Sequence, residues 1–258
     1  MIEAHGISVR ADKRTLIADC SLRIVPGRVT ALLGPNGAGK STAISVLSGE
    51  RKPDDGYMTI DGQPMASMAP VELARQRAVL LQNSTLDFAF TVAEVVGLGR
   101  LPFAMTRQAL DDDEALMAVR RISGIETLWN QFYQTLSGGE RQRVQFARAL
   151  AQIWRRVPDG TQRYLFLDEP TSALDLRSRR AVLRAMRELA VQGAGVLVVL
   201  HDLNLAVDFA DDVVLLREGR VLTDGPVDQV LTLENLTSCF DVPVEIVSRE
   251  NGKPVILA

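Results

Sequence analysis

Residues 34–41 read GPNGAGKS and limit the folds open to this chain more than any other segment. They fit the pattern G-x-x-x-x-G-K-[ST], in which glycines let the backbone wrap around phosphate oxygens and point successive N–H groups at them. An apolar run at 28–33 precedes the segment and a helical pattern at 40–47 follows it. A glycine-rich turn without a ligand would not need this context. The sequence therefore predicts a nucleoside triphosphate site between a buried strand and the start of a helix.

The polar groups of this phosphate-binding loop have separate expected roles. The helix that starts near Lys40 adds the positive end of its dipole. Lys40 is expected to reach the β- and γ-phosphates, and the Ser41 hydroxyl is expected to bind Mg²⁺. The residues predicted to bind ATP are Gly34, Pro35, Asn36, Gly37, Ala38, Gly39, Lys40, Ser41 and Thr42.

Two adjacent carboxylates end another apolar run, at residues 164–169, which read YLFLDE. A parallel strand delivers the side chains at its carboxyl end to the sheet edge where the phosphate-binding loop also lies. Asp168 is therefore expected to hold Mg²⁺, directly or through a water, and Glu169 to polarise the attacking water. The alternative is that the two acids cap the turn before Pro170.

His201 and Gln82 also follow predicted strands, at 195–200 and 77–82. His201 could contact the γ-phosphate or the attacking water, although a lone histidine in such a place is more often structural. The amide of Gln82 could bind Mg²⁺ or the water, although a glutamine by itself is a weak signal. The predicted catalytic residues are thus Glu169, His201 and Gln82, and the predicted Mg²⁺ ligands are Ser41, Gln82 and Asp168.

Short apolar runs alternate with helical patterns along most of the chain, which predicts an α/β fold with a parallel sheet. Helical periodicity dominates from 91 to 153, and hairpins are expected at 217–220 and around Asn251 and Gly252. No run approaches the roughly 20 apolar residues that span a bilayer, and no signal peptide is expected. Cys20 and Cys239 suit buried thiols in a reducing compartment. The net charge of -3 gives no general drive toward nucleic acid.

The segment LSGGE at 136–140, followed by a basic helical run at 141–150, indicates a family. It resembles the signature motif of ABC ATPases, and Gln82, residues 172–175 and His201 match that family's Q-loop, D-loop and switch histidine. The resemblance covers essentially the whole chain. It implies a P-loop NTPase ABC cassette: a RecA-like core sheet at about 1–88 and 160–258, with an inserted helical signature subdomain at about 89–159.

The same resemblance implies a dimer. In the family, the signature begins a helix and closes over the γ-phosphate held by a partner subunit, which gives a head-to-tail homodimer around two ATP molecules. The expected contacts to the partner's ATP are Ser137, Gly138, Gly139 and Glu140, and the expected D-loop residues at the interface are Ser172 and Asp175. The basic helix after the signature could be partly a solvated face.

One feature departs from the family pattern. The family usually places an aromatic residue before the phosphate-binding loop to stack on adenine, and residues 1–33 contain no Phe, Tyr or Trp. Arg10 or Arg14 lies near the expected place, and a guanidinium plane can stack on a base. We therefore expect one of these arginines to replace the aromatic residue.

Two further segments are similar to a narrower group. Residues 91–102 resemble the start of the helical subdomain in importers for iron-siderophore, heme and vitamin B12, and the long connection at 152–163 resembles the ATP-binding subunits of hemin importers. The end of the chain, at 222–226 and 231–240, also fits the hemin group. The connection could instead be an ordinary variable surface loop.

The narrower resemblance implies an ATP- and Mg²⁺-dependent motor that powers heme import from the cytoplasmic face of the bacterial inner membrane. Its implied partners are a second copy of itself, two permease subunits, whose helix would enter a groove near 82–100, and indirectly a periplasmic heme-binding protein. No nucleic acid partner is expected. The alternatives are the same role for iron-siderophore or vitamin B12, an exporter motor, and a non-transport ABC ATPase. The last two are disfavoured because the chain has no fused membrane span, coiled-coil insertion or second cassette.

Overall fold

The computed structural model describes residues 1–12, 14–81, 89–154, 160–249 and 253–257. The strands within these ranges are β1 Ile2–Ala11, β2 Arg14–Ile24, β3 Val29–Leu33, β4 Asp55–Ile60, β5 Gln63–Pro64, β6 Arg77–Leu80, β7 Tyr164–Asp168, β8 Gly195–Val199, β9 Asp212–Arg217, β10 Arg220–Pro226, β11 Glu245–Ser248 and β12 Pro254–Leu257. The α-helices are α1 Lys40–Leu47, α2 Pro70–Gln76, α3 Val92–Gly97, α4 Asp112–Ile122, α5 Gly138–Gln152, α6 Leu176–Val191, α7 Leu203–Phe209, α8 Val227–Val230 and α9 Leu233–Phe240.

The central sheet has six strands in the order β10–β9–β3–β8–β7–β6. Its neighbours are parallel except β10, which pairs antiparallel with β9. Strands β3, β7 and β8 are buried along their whole length, which explains why their sequences are continuous apolar runs. The parallel sheet predicted from the sequence is therefore present, and the carboxyl ends of β3, β7 and β8 lie along one edge.

A second, antiparallel sheet has the order β2–β1–β4–β5. The sequence pattern did not separate this sheet from the parallel one, and the strands at Ile2–Ala11 and Arg14–Ile24 were not predicted. β1 alternates buried and partly buried residues because one face of this sheet packs, with α1, on the central sheet. Two layers of different type thus cover the two faces of the central sheet: helices α5 and α6 on one, α1 and the antiparallel sheet on the other.

Helices α3, α4 and α5 lie between β6 and β7 in the chain, where helical periodicity was predicted. Their apolar residues, such as Val95, Val119 and Phe146, belong to the same buried cluster as one face of the central sheet. The division into a core at about 1–88 and 160–258 and a helical subdomain at about 89–159 stays a prediction. No helix in the described ranges combines the length and the apolar character needed to cross a bilayer.

The two predicted hairpins and the two cysteines can also be placed. β9 and β10 pair from Arg217 and Arg220 onward, and β11 pairs antiparallel with β12, although Asn251 and Gly252 lie outside the described residues. Cys20 and Cys239 are buried and form no disulfide, as predicted. Burial raises the pKa of Cys239 to about 11, so this thiol stays protonated at neutral pH.

Candidate functional site

The phosphate-binding loop joins β3 to α1 and is held between β2 and β9 by close backbone contacts. A Cβ atom on Gly34 would lie 2.0 Å from the Leu216 carbonyl oxygen. Gly39 has a φ of +101°, and a Cβ there would lie 2.7 Å from the Leu16 carbonyl oxygen. Both positions require glycine because no side chain fits between the loop and the neighbouring strands.

The start of α1 is suited to an anion. Among the described residues no side chain caps this helix, and its first turn contains no acidic residue. By contrast, Ser137 caps α5 and Asp202 caps α7. Because the first N–H groups of a helix lack intrahelical acceptors and carry partial positive charge, an uncapped helix start favours a phosphate group.

A cleft of about 780 Å³ lies over this loop, a volume that suits a small-molecule ligand. All of the predicted ATP-binding residues except Gly34 line it. The remaining lining residues are Arg14, Thr15, Leu16, Glu169, Glu218 and Gly219. The structure therefore brings one predicted catalytic residue, Glu169, to the same cleft as the phosphate-binding loop.

Lys40 lies at the base of this cleft and is buried. Its Nζ donates to the carbonyl oxygens of Gly34, at 2.8 Å, and Pro35, at 3.0 Å. Burial lowers the pKa of Lys40, while the nearby carboxylates of Glu169 and Asp168 oppose that shift. The ammonium group is thus held where it faces both the loop and the two carboxylates.

Asp168 ends β7 and is only 3% exposed. Burial raises its pKa, although a hydrogen bond from the Ser41 hydroxyl and the charge of Lys40 act in the opposite direction. Its Oδ1 is buried and has no hydrogen-bond partner within the described ranges. A buried carboxylate oxygen without a partner, next to a hydroxyl, is a donor set that a hard cation accepts. Ser41 and Asp168 therefore fit a Mg²⁺ ion.

The rest of such a coordination shell would have to come from elsewhere. The described ranges contain no group of three or more His, Cys, Asp and Glu side chains arranged around a metal position. Magnesium is usually held by one or two carboxylates together with substrate phosphates and waters, which is the arrangement available here. Gln82, the third predicted ligand, lies outside the described residues.

Glu169 and His201 meet at the carboxyl ends of two adjacent strands. β7 and β8 pair in parallel, and each residue follows its strand. His201 Nε2 lies 2.5 Å from Glu169 Oε1. Glu169 has a φ of +51°, a left-handed conformation that non-glycine residues rarely adopt, and Asp202 caps the helix after His201 by accepting from Asn204 N at 2.9 Å. The local backbone therefore directs both side chains toward each other.

The signature residues lie at the start of α5. Ser137 and Glu140 form a capping box, in which Glu140 Oε2 accepts from Ser137 N at 2.9 Å and from Ser137 Oγ at 2.7 Å. The hydrogen bond from the Ser137 side chain lowers the pKa of Glu140. Within the part of the chain that the structure describes, neither these two residues nor Gly138 and Gly139 line the cleft over the chain's own phosphate-binding loop.

The two D-loop residues have partners inside the chain. Ser172 Oγ donates to the Glu169 carbonyl oxygen at 3.1 Å, and Asp175 caps α6 by accepting from Ser178 N at 2.9 Å. Hydrogen bonding to the Ser178 N–H also lowers the pKa of Asp175. These contacts fix the loop that leads away from Glu169.

Some residues at the site were not predicted from the sequence, and two candidates for one role could not be distinguished there. The turn at Glu218 and Gly219 was predicted as a hairpin, but its place against the cleft was not; Gly219 N donates to the Ala38 carbonyl oxygen at 2.9 Å. Of the two arginines considered for adenine, Arg14 lines the cleft, whereas Arg10 donates to Asp55 at 2.6 Å and does not line it. Which of them stacks on adenine stays a prediction.

The sequence profile of a family described as ABC transporter matches residues 17–172, more than half of the 258 residues. The chain belongs to the ABC transporter family. This ABC transporter protein is 45% identical over 259 residues to the hemin import ATP-binding protein HmuV of Pseudomonas fluorescens (strain Pf0-1), with 100% of each chain covered. It is 44% identical to the HmuV protein of Gloeobacter violaceus (strain ATCC 29082 / PCC 7421), with 100% of this chain and 94% of that one covered.

Its fold is also found in a dimeric structure of a bacterial ABC transporter cassette, MJ0796. The TM-score is 0.77 at 25% sequence identity, and the match covers 88% of this chain and 99% of that one. The predicted ABC ATPase family and the predicted α/β cassette fold are thus confirmed. The roles of individual residues stay predictions.

Proposed function

We propose that this ABC ATPase is the motor subunit of a bacterial hemin importer. The observation that carries the cargo assignment is identity of 45% and 44% to two proteins named as hemin import ATP-binding proteins, over the full length of this chain. These matches include the segments at 91–102 and 152–163, whose sequences resemble importers of this group. The chain itself needs no heme site, because a motor subunit acts on the permease rather than on the cargo.

The geometry of the cleft supports a division of roles for ATP hydrolysis. The uncapped start of α1 and Lys40 would hold the β- and γ-phosphates, and Ser41 Oγ and Asp168 Oδ1 would hold Mg²⁺. The bound Mg²⁺ would neutralise charge that develops on the phosphate oxygens. Glu169 would orient and polarise the attacking water, while His201, 2.5 Å away, fixes its carboxylate. Gln82 is proposed as a further ligand of Mg²⁺ or the water.

We also propose a head-to-tail dimer in which each signature completes the partner's ATP site. Ser137, Gly138, Gly139 and Glu140 would contact the partner's γ-phosphate, and Ser172 and Asp175 would lie at the interface. The proposal is supported by the position of the signature away from the chain's own cleft and by the dimeric state of the MJ0796 cassette. ATP favours closure because only the closed dimer brings the second set of donors to the phosphate.

The remaining proposed partners are outside the chain. Two dimerised copies would bind two permease subunits at the cytoplasmic face of the inner membrane, with a permease helix contacting the segment 82–100, of which 82–88 lie outside the described residues. A periplasmic binding protein would deliver hemin to the permease. Leu101, which is 64% exposed beside this segment, offers apolar surface for such a contact. No nucleic acid partner is part of the proposal.

The test is hemin uptake into proteoliposomes that contain this chain, its co-purifying permease and the matching binding protein. Uptake should require ATP in the compartment that the ATP-binding subunit faces. It should vanish when the Glu169→Gln variant replaces the wild-type chain. ATP hydrolysis without hemin transport would contradict the cargo assignment, but it would be consistent with the role of the chain as a motor subunit. Iron-siderophore and vitamin B12 would then be tested in the same vesicles.

The structure favours Arg14 over Arg10 as the residue that stacks on adenine. Arg14→Ala is expected to weaken ATP binding about tenfold, because stacking on a base contributes roughly 1–3 kcal/mol. Arg10→Ala is the matched control and should bind ATP like the wild type, since its guanidinium pairs with Asp55 instead of lining the cleft. Equilibrium titration with a fluorescent ATP analogue measures both, and unchanged affinity in Arg14→Ala would refute the assignment.

A further inference from the structure

Gln142 lies early in α5, and its carboxamide joins this helix to two points of the loop between β7 and α6. Its Nε2 donates to the Glu169 carbonyl oxygen at 2.9 Å. Its Oε1 accepts from Ala173 N at 3.2 Å. Both polar atoms of one side chain are therefore used on the backbone of residues 169–173.

The first of these contacts acts on a residue with an unusual backbone. Glu169 has a φ of +51°, which a non-glycine residue keeps only when its surroundings hold it there. Its carbonyl oxygen accepts from Gln142 Nε2 and from Ser172 Oγ, at 2.9 and 3.1 Å. The backbone that directs the Glu169 carboxylate toward His201 is thus held partly by a side chain of the signature helix.

The start of α5 also packs directly on the same loop. A Cβ atom on Gly139 would lie 2.8 Å from the Ala173 carbonyl oxygen, whereas a Cβ on Gly138 would have no atom within 4 Å. Gly139 is therefore required by contact inside the chain, independently of any contact that the signature makes with a nucleotide. The helix start cannot shift relative to residues 169–173 without breaking these contacts.

We propose that Gln142 is a positioning residue for ATP hydrolysis. It ties the orientation of Glu169 in one ATP site to the position of the signature helix. Coupling between the two ATP sites rests on the dimer of the proposed function, in which the start of α5 contacts the partner's ATP. Binding of the partner's nucleotide at the start of α5 would then change, through Gln142, the position of Glu169, which polarises water in the chain's own site.

Gln142→Ala tests the proposal in the full-length chain, with Gln152→Ala as the matched control. Gln152 lies on the same helix, and its Nε2 also donates to two backbone carbonyls, those of Ala74 at 2.8 Å and Arg77 at 2.9 Å, but away from Glu169. Gln142→Ala should lower kcat by about tenfold to a hundredfold, since small displacements of a catalytic group have effects of this size. The Kd for ATP should stay within about twofold of wild type, because the cleft residues are untouched. Gln152→Ala should keep both constants.

Two further measurements separate positioning from general destabilisation. Gln142→Glu keeps the acceptor for Ala173 N but removes the donor to the Glu169 carbonyl, so it should lose kcat as Gln142→Ala does. In nucleotide-free protein, hydrogen–deuterium exchange across 169–175 should become faster in Gln142→Ala and not in Gln152→Ala. Equal kcat in the two alanine variants, equal exchange, or a raised Kd with unchanged kcat would overturn the proposal.

A double-mutant cycle tests whether Gln142 acts through Glu169. In a Glu169→Gln background, Gln142→Ala should cause no further loss in the single-turnover rate, whereas a multiplicative loss would mean that Gln142 acts independently. These assays need neither hemin nor permease, so a failed uptake experiment leaves them intact. A specific activity that does not depend on protein concentration would speak against the proposed dimer and the relay between sites, not against the contact with Glu169.

Discussion

Glu169→Gln is expected to lower kcat for ATP hydrolysis by about a hundredfold or more and to leave ATP binding intact. Glutamine has the shape of glutamate but cannot take a share of the proton from the attacking water. The loop residues and Lys40 are unchanged, so the nucleotide should still bind. Because closure is favoured while ATP remains, the variant should accumulate as an ATP-bound dimer, measurable by phosphate release and by size-exclusion chromatography with ATP.

Glu218→Gln is a close control for this experiment. Glu218 lines the same cleft and shares a left-handed backbone, with a φ of +49°, but its side chain is 83% exposed and belongs to the turn between β9 and β10. The same change of charge should therefore have little effect on kcat there. Wild-type hydrolysis in Glu169→Gln would remove Glu169 from the proposed mechanism.

Gly34→Ala is expected to destabilise the nucleotide-free protein by about 3 kcal/mol or more. The added methyl carbon would lie 2.0 Å from the Leu216 carbonyl oxygen and 3.3 Å from Cβ of Ala38. Leu216 is a fully buried residue of β9, so its backbone cannot withdraw without disturbing the pairing of β9 with β3. The clash must instead be relieved by displacing the phosphate-binding loop.

Gly37→Ala separates this clash from backbone strain. Gly37 has a φ of +78°, but a Cβ there would meet no atom within 4 Å, so the substitution should cost only about 1 kcal/mol of conformational strain. Urea unfolding without nucleotide measures the free energy of unfolding of both variants. In thermal unfolding, the difference of about 2 kcal/mol between them should separate their midpoints by about 4–8 °C. Equal destabilisation of the two variants would mean that the close approach to β9 does not constrain the loop.

Much of the cleft could be predicted because parallel strands collect distant residues at one edge. Lys40, Asp168, Glu169 and His201 each follow an apolar run, and in a parallel sheet such positions converge whatever their separation in the chain. Their places after apolar runs were therefore sufficient to predict that they lie at one edge of the sheet, although the contact between Glu169 and His201 was not predicted. The 2.5 Å contact between Glu169 and His201 is the geometric result of that convergence.

Other features depend on pairings that periodicity does not encode. The antiparallel sheet of β1, β2, β4 and β5 was not separated from the parallel one, because the alternation along a strand such as β1 shows that one face is buried but not which strands it pairs with. The sequence also could not show that Arg14 lines the cleft while Arg10 pairs with Asp55. No sequence motif marks Gln142. Its proposed role rests on hydrogen bonds to two backbone atoms that lie 27 and 31 residues further along the chain.

The position of β3 has a consequence for synthesis of the protein on the ribosome. The strand that bears the phosphate-binding loop pairs with β8 on one side and β9 on the other, and its Gly34 packs on Leu216. The loop leaves the ribosome early, but its structural neighbours are among the last strands to be made. A nascent chain that ends before Asp212 lacks β9 altogether, and so cannot assemble the nucleotide cleft. We therefore expect ATP to bind, and to add to stability, only in chains that extend past β9 and the turn at Glu218 and Gly219, which line the cleft.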